Sequence, residues 1–519
     1  MTKVRAAIVA ALFVFASVLP VVAQDVTLRS YDGDVEISGN LLGFDGEFYR
    51  LDTVYGELTV DGSGVACDGP GCPNLENFVA RLAFSGAPTI GKVLMPALIE
   101  AFAIRGDYDV TRRDEGDNEI SYALSSRKTS DLVGEFTFRL TNTDEGFADL
   151  LANEADIAMT LREAHTDEVS HAKAAGLGDL TAPGRARVLA LDALIPVVAP
   201  SNPVQGITMP QLAEVLAGRL ANWNLLGGPD APIDVHLWDE RTGIGQASVD
   251  HLLGPGGLPE NSRVRRHDNG DAFAKAVARD PFALGLTMRS EQGNTWELAL
   301  TGDCGFALTA TRRAVKTEDY PLTAPLFLYL PARRFPKLAR EFLAYLRDPS
   351  AQLVIRRAGF VDQAPEEIDI NAQGDRFANA IAQAGPEVGL QELQRMVGVL
   401  SSLKRLTTTF RFEPASVRLD AQSRSNVEQL ARALELGLYD ARRLVFVGFS
   451  DGDGAAGPNR DIAMRRAETV ARAVKRAAET ANFDRIAVEI DAFGEAMPMA
   501  CDDTAWGRQV NRRVEVWVR

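Results

Sequence analysis

Val447-Gly448-Phe449-Ser450-Asp451-Gly452-Asp453-Gly454 carries an apolar run, residues 444–447, into a loop of glycines and aspartates. Pro458-Asn459 and the basic pair Arg465-Arg466 follow it. The pattern predicts a strand, a Gly/Asp loop and a helix that brings a guanidinium back toward the loop. Asp451 and Arg466 then face one small zwitterion from opposite sides. A planar Arg fork suits a carboxylate, and an Asp suits an ammonium. The expectation is an anchoring site, with the larger upstream part of the chain as what it anchors.

Working outward, residues 405–519 have the size of one α/β domain. Strands are predicted at 410–412, 443–449, 486–492 and 514–518, and an amphipathic helix at 425–436. Asn459 is placed as the cap of the next helix. On that helix Ala463, Ala467, Val470 and Val474 form the buried stripe, and Arg466 lies off it. The segment resembles the OmpA-like peptidoglycan-binding domain. The matching stretches are the loop quoted above, residues 459–470 (NRDIAMRRAETV), Phe493-Gly494-Glu495-Ala496-Met497-Pro498, and a complete Gly507-Arg508-Gln509-Val510-Asn511-Arg512-Arg513-Val514-Glu515. The resemblance implies that Asp451 and Arg466 hold the diaminopimelate stem peptide, with Asn459 and Arg512 as further pocket members. The chain departs from the family pattern at Phe449 (usually His), Ser450 (usually Thr) and Asp502 (commonly Asn). The blander reading makes Asp451 a loop cap and Arg466 half of an exposed pair worth about 0–1 kcal/mol.

Residues 78–362 alternate strands and helices. A strand at 79–84 ends in Ser85-Gly86-Ala87-Pro88-Thr89-Ile90-Gly91, after which Ile90, Val93, Leu94, Ala97, Leu98, Ala101 and Phe102 recur with helical period. Pro96 falls inside that pattern and predicts a kink or a late helix start. A small-residue loop opening a helix offers free backbone N–H groups to an anion, or is merely a capped helix. The segment resembles periplasmic solute-binding proteins of the phosphate type, the ABC-transporter family with two α/β lobes and a hinge. The resemblance rests on the 85–91 loop, residues 150–162 (LLANEADIAMTLR), 200–203 (PSNP) with 212–228 (LAEVLAGRLANWNLLGG), 280–286, 320–329 (YPLTAPLFLY) and Gly359-Phe360-Val361, all in family order. It implies an anion cleft drawn from Ser85, Gly86, Thr89, Thr143, Arg162, Arg241, Thr242 and Gly243. Trp238 stands where the family has arginine, Ile244 where it has threonine, and Asp144-Glu145 bring two carboxylates that repel phosphate unless one accepts its proton.

The totals bound the rest. A chain of 519 residues implies about three domains. Its formal net charge of −16 argues against nucleic acid, which needs a basic surface. Residues 1–23 read as a signal peptide: Lys3 and Arg5, an apolar stretch, then Val21-Val22-Ala23. No other segment is long and apolar enough to span a bilayer, so the mature chain is expected to lack a transmembrane segment. Residues 24–77 read as a small β module punctuated by Asp-Gly turns at 32–33, 45–46 and 61–62. Cys67 and Cys72 bracket a tight turn and are expected to close a small disulfide loop, which leaves Cys304 and Cys501 to bridge two domains or stay free. Residues 363–404 read as a linker or helical connector.

No catalytic constellation stands out. The five histidines have no motif spacing, and Gly254-Pro255-Gly256-Gly257 is followed by neither Lys-Ser nor Lys-Thr, so it is a turn and not a P-loop. The expected fold class is α/β and α+β: a two-lobed binding-protein fold, an OmpA-like α/β sandwich and an N-terminal β module. The expected function is a periplasmic binding protein for phosphate or another small anion, held non-covalently to peptidoglycan near the outer membrane. It is expected to be no enzyme and to use no cofactor or metal, with an ABC permease as a further partner. The alternative is an envelope-organising protein whose solute-binding fold no longer takes a ligand.

Overall fold

The computed structural model describes residues 25–74, 78–116, 118–254, 257–259, 261, 263–302, 307–413, 416–502 and 504–519. The expected signal peptide lies outside the described residues. The chain divides into two compact units, one running to Ala80 and including Arg334–Lys337, the other Arg81–Arg333 with Leu338–Arg519.

In the first unit, alternating residues form β1 (Val26–Ser30), β2 (Glu36–Phe44), β3 (Phe48–Thr53), β4 (Gly56–Asp61) and β5 (Val65–Asp68). The strand order is β4-β3-β2-β1-β5, with antiparallel neighbours. The inward alternates Val26, Leu28, Tyr49, Leu51 and Val65 make its core. The fifth strand carries Cys67, which is bonded to Cys72. Arg334 adds an ion pair to Asp45 and a 3.0 Å contact to Glu47.

The second unit holds both large domains. Strand β6 (Ala80–Gly86) leads through a single π-helical turn, Ile90–Leu94, into α1 (Met95–Gly106). Pro96 therefore sits at the second residue of α1, directly after the π-helical turn that accommodates it. Ile90, Leu94, Leu98 and Phe102 are buried, as their spacing predicts, whereas Val93 of the same stripe is exposed. Strands β7 (Tyr108–Gly116), β8 (Glu119–Ser126) and β9 (Leu132–Leu140) form a meander, and α2 (Thr143–Leu151), β10 (Ile157–Thr160) and α3 (Thr166–Ala174) follow.

Strand β11 (Ala186–Val198) is the link between lobes. Beyond it lie β12 (Gly206–Thr208), α4 (Met209–Leu216), β13 (Asp234–Trp238), α5 (Gly243–Ser248), β14 (Arg265–His267), α6 (Gly270–Arg279), β15 (Ala283–Met288), β16 (Trp296–Glu297), β17 (Ala299–Thr301), α7 (Arg312–Lys316) and β18 (Thr323–Tyr329). Residues Ala186 to Ala193 of β11 pair with β18, beside β10 and β6; Leu194 to Val198 pair with β15, beside β13 and β14. The chain thus crosses from lobe 1 to lobe 2 within β11 and returns as β18 begins, where Leu194 N donates to Leu322 O at 2.9 Å. Helices α8 (Lys337–Tyr345) and α9 (Pro349–Arg357) close lobe 1.

The last domain begins earlier than its motifs suggest. It comprises β19 (Glu367–Ile368), α10 (Gly374–Ala382), α11 (Leu390–Leu400), β20 (Lys404–Phe410), α12 (Ala421–Glu435), β21 (Arg443–Phe449), α13 (Ala456–Ala477), β22 (Ala487–Gly494), α14 (Ala505–Asn511) and β23 (Arg513–Val518), with sheet order β19-β20-β23-β21-β22. Helices α12 and α13 cover one sheet face over Leu406, Phe446 and Val516. Helices α10 and α11 cover the other, packing Met396 and Leu400 on Val445, Val447 and Trp517. Residues 363–404, expected as a linker or helical connector, are helical in α10 and α11, and because the sheet is apolar on both faces they supply its second cover. Gly448 permits the close approach of α13, since a Cβ there would stand 2.1 Å from Ala463 O.

Candidate functional site

In the C-terminal domain the loop after β21 and the end of α14 meet. Asp451 Oδ2 accepts a hydrogen bond from Arg512 Nη1 at 2.6 Å. Asp502 holds the frame, accepting from Gly452 N at 2.7 Å and from Asn511 Nδ2 at 2.9 Å. Asn511 is itself fully buried and accepts from Met499 N and Ala500 N. Asn459 does not cap α13, whose N-cap is Ala455; it lies within the helix and donates from Nδ2 to Glu495 Oε2 at 2.8 Å. Burial first, then the charges of Glu387, Asp502 and Asp451, raise the Glu495 pKa against the lowering effect of Asn459.

Arg466 departs most from expectation. It is 3 % exposed, and its Nε and Nη1 are buried with no hydrogen-bond partner. The apolar stripe leaves it out, yet it is buried with that stripe, because α13 is covered on a second flank, where the Arg466 guanidinium lies 5.2 Å from the centre of the Phe412 ring. Burial, then the like charge of Arg512, depress its pKa. Asp451 is thus paired with Arg512, while Arg466, near enough to feel the charges of both, keeps two buried donors without a partner. The Ser450 hydroxyl is also buried without a partner. Phe449, in place of histidine, is a core residue that lies under the Arg513 guanidinium at 4.4 Å. Arg513 and Glu515 of the closing motif are structural: Glu515 is fully buried and takes Arg513 at 2.7 Å, Arg405 at 3.3 Å and Arg376.

The second candidate site is the cleft between the lobes. A cavity of about 740 Å³ is lined from lobe 1 by residues including Thr89, Lys92 and Thr141, and from lobe 2 by Trp238, Arg241, Thr242, Gly243 and Glu291 among others. Of the eight residues expected there, Thr89, Arg241, Thr242 and Gly243 line the cavity, and Ser85, Gly86, Thr143 and Arg162 do not. Ser85 Oγ donates to the Asp149 carboxylate at 2.5 Å. Gly86, at φ +128°, lets β6 pass Met159 O where a Cβ would stand 2.1 Å away. Thr143 Oγ1 accepts from Leu161 N at 3.1 Å.

Arg162 is corrected from an anion ligand to a structural cation. Its guanidinium meets Glu168 twice at 2.8 Å and Asp144 once more, with Asp250 3.8 Å from Nε. Arg241 is likewise engaged, donating from Nε and Nη2 to Asp239 at 2.9 Å each. Trp238, in the place of the family arginine, stacks on Phe273 and donates from Nε1 to Thr287 Oγ1 at 3.1 Å. Asp239, Asp268, Asp271 and Glu291 line the cavity against two cations, Lys92 and Arg241. Glu291 takes no hydrogen bond or ion pair among the described residues; burial, then Asp271, raise its pKa, and Lys92 lowers it.

Elsewhere Cys501 is disulfide-bonded, and Cys304 lies outside the described residues. Among the described residues no helix is long and apolar enough to cross a membrane.

Comparison with known proteins follows the same division. A PBP superfamily domain model matches residues 128–349 and an OmpA family model matches 411–512. The phosphate-binding protein PstS of Borreliella burgdorferi is 24% identical over 180 residues, 34% of this chain and 64% of that protein. Protein SphX of Synechococcus elongatus is 26% identical over 237 residues, 43% of this chain and 68% of that protein. The outer-membrane lipoprotein YfiB of Pseudomonas aeruginosa is 36% identical over 101 residues, 20% of this chain and 56% of that protein. The chain therefore spans about two thirds or less of the length of each of these relatives, and it joins a domain of the PBP superfamily to a domain of the OmpA family.

Proposed function

We propose that this protein is a periplasmic solute-binding protein fastened non-covalently to peptidoglycan, on the inner side of the outer membrane of a Gram-negative envelope. The observation that carries the anchoring half is Arg466. A buried guanidinium with two unanswered donors is costly, and a carboxylate arriving between it and Arg512 would relieve that cost. Asp451 and Glu495, with Asn459 behind them, supply acceptors for the ammonium of the same zwitterion. Diaminopimelate in the wall's stem peptide has both groups on one carbon. Purified sacculi should retain the wild-type protein and release Asp451→Ala and Arg466→Ala. Equal retention of all three would reject this pocket.

For the cleft domain the reading is a small oxyanion, phosphate first, with an ABC permease as the partner that would receive it. The support is the match to PstS and SphX together with the hydroxyls of Thr89, Thr141 and Thr242 and the ammonium of Lys92 around one cavity. Glu291 suits a protonated oxyanion, because an otherwise unpartnered carboxylate can accept the ligand's own proton. Titration calorimetry with phosphate and an oxyanion panel tests this.

A second reading is favoured by one specific observation: both arginines near the cleft, Arg162 and Arg241, already have carboxylate partners. A cleft without a free guanidinium fits an envelope-organising protein that has given up its solute. Sacculus binding with no calorimetric heat from any oxyanion selects that reading.

A further inference from the structure

The C-terminal domain is attached to both lobes, at different places. On lobe 1, Glu163, just after β10, accepts from the free N–H of Ala421 at the start of α12 at 2.8 Å. Further along α12, Glu428 pairs with Arg347 at 2.7 Å and Ser425 Oγ donates to Gln363 at 3.2 Å. On the lobe 2 side, just before the chain returns through β18, Glu318 accepts from Asn426 of the same helix at 3.1 Å, and its backbone carbonyl accepts from Arg411. Asp319 takes Nη1 and Nη2 of Arg405 at 2.6 and 3.0 Å. Trp506 of α14 donates to Pro321 O at 3.3 Å.

Between these two sets of contacts runs β11, the strand on which the lobes share one sheet. Rotation of one lobe against the other must bend β11 and β18. A third body fixed to both sides cannot follow both lobes, so one set of contacts has to break. The lobe 2 set is the harder to break: Arg405 is 1 % exposed and Asp319 is buried beside it, so separation takes two charge-assisted hydrogen bonds from a guanidinium that keeps only Glu515 and Thr409.

We propose that the OmpA-like domain is a brace across the hinge, holding the two lobes in a single relative orientation for as long as α12 stays docked. Lobe motion is then a property of the whole chain and not of the cleft domain alone. The brace also adjoins the wall pocket. Arg411, which holds Glu318, donates to Val510 O at 2.7 Å two residues before Arg512, and its neighbour Phe412 lies against Arg466. The inference concerns the docking of the domains and stands apart from which solute, if any, the cleft takes.

The test uses the full chain with nitroxide labels on cysteines introduced at two exposed positions, Arg113 on lobe 1 and Arg279 on lobe 2, read by pulsed electron–electron resonance without added solute. The expected result is one narrow distance population in the braced protein. A second population or a doubled width should appear in the Asp319→Asn variant and in the Arg347→Ala/Glu428→Ala double variant. The double variant removes only a half-exposed pair and keeps the measurement readable should Asp319→Asn fail to fold. A broad distribution in the unaltered brace, or a narrow one that the double variant leaves unchanged, overturns the proposal.

Discussion

Two buried arginines are compensated differently. Arg162, 8 % exposed, is ringed by Glu168, Asp144 and, more distantly, Asp250, so that only its Nε lacks a hydrogen bond. Arg466, 3 % exposed, has an unanswered Nε and Nη1, because the nearby Asp451 has turned to Arg512. Burial of a charge is tolerated when partners replace water. A guanidinium whose partners come from its own chain stabilises the fold; one whose partners are missing marks a place prepared for something else. The lobe 1 arginine belongs to the first kind; the proposed wall pocket assigns the α13 arginine to the second, although a motif resemblance puts both in binding sites.

The largest test of that contrast is Arg466→Met, which keeps the volume and removes the charge. Wall retention should fall by about 3–5 kcal/mol, as for truncating one side of a desolvated charge pair. Unfolding stability in the absence of wall should stay within about 1 kcal/mol of wild type or rise. Co-sedimentation with sacculi and urea titration read the two halves. Loss of stability together with retention would reverse the assignment.

Arg162→Met should behave in the opposite way. It leaves the half-buried Glu168 with the His165 N–H but no cation, so unfolding stability should drop by about 1–3 kcal/mol while sacculus binding is unchanged. Urea denaturation midpoints measure it, and an unaltered midpoint would show that the carboxylate ring contributes little.

The contacts between domains titrate in a chosen direction. Burial first, then Asp420, push Glu163 up to about 7, with Arg424 opposing. Burial pushes Glu318 up to about 8 against the pull of Arg411 and Asn426, and Asp420 and Asp319 add to the rise. Both folded-state values exceed the ordinary 4.5, so between about pH 5 and 8 the folded state holds more protons than the unfolded one. Stability from these groups therefore falls as pH rises. His236, held down to about 4 by burial and then by His267, slopes the other way but only below about pH 6.5. From pH 6.5 to 8.5 the loss should be about 3 kcal/mol, the larger share from Glu318, read as a falling melting temperature whose slope Glu318→Gln reduces by more than half. A flat or rising wild-type curve would contradict it.

The smallest expected effect lies in the cleft. Glu291→Gln removes the carboxylate proposed to accept the ligand's proton, so phosphate affinity at pH 8 should weaken by about 1 kcal/mol, roughly fivefold. Titration calorimetry reads it, and unchanged or tighter binding would mean that Glu291 only repels the ligand or lies outside its field.

Much of the architecture was legible because it rests on local pattern. The stripe Ile90, Leu94, Leu98 and Phe102 is buried where its period put it, and Asp-Gly turns separate strands of the first unit. Cys67 and Cys72 are joined across their short loop. Glu495 lay inside a quoted motif and proved to hold Asn459. The helices at 374–400 had the apolar spacing of a packed element, but nothing local said that the sheet of a domain several strands later needed covering on that face.

Sequence by itself determined which residues bring charge, small size or periodicity: the Asp451 loop, the Asn511-Arg512-Arg513 motif, the strand and helix segments and the acidic balance. Tertiary structure alone decided which charges meet. Asp451 pairs with Arg512 and not with Arg466, Arg162 with Glu168 and Asp144, and Asp319 with Arg405, 86 positions away. The reason is physical. Periodicity is set by the backbone within a few residues, whereas an ion pair depends on which side chains the fold removes from water together, and that is a property of packed surfaces.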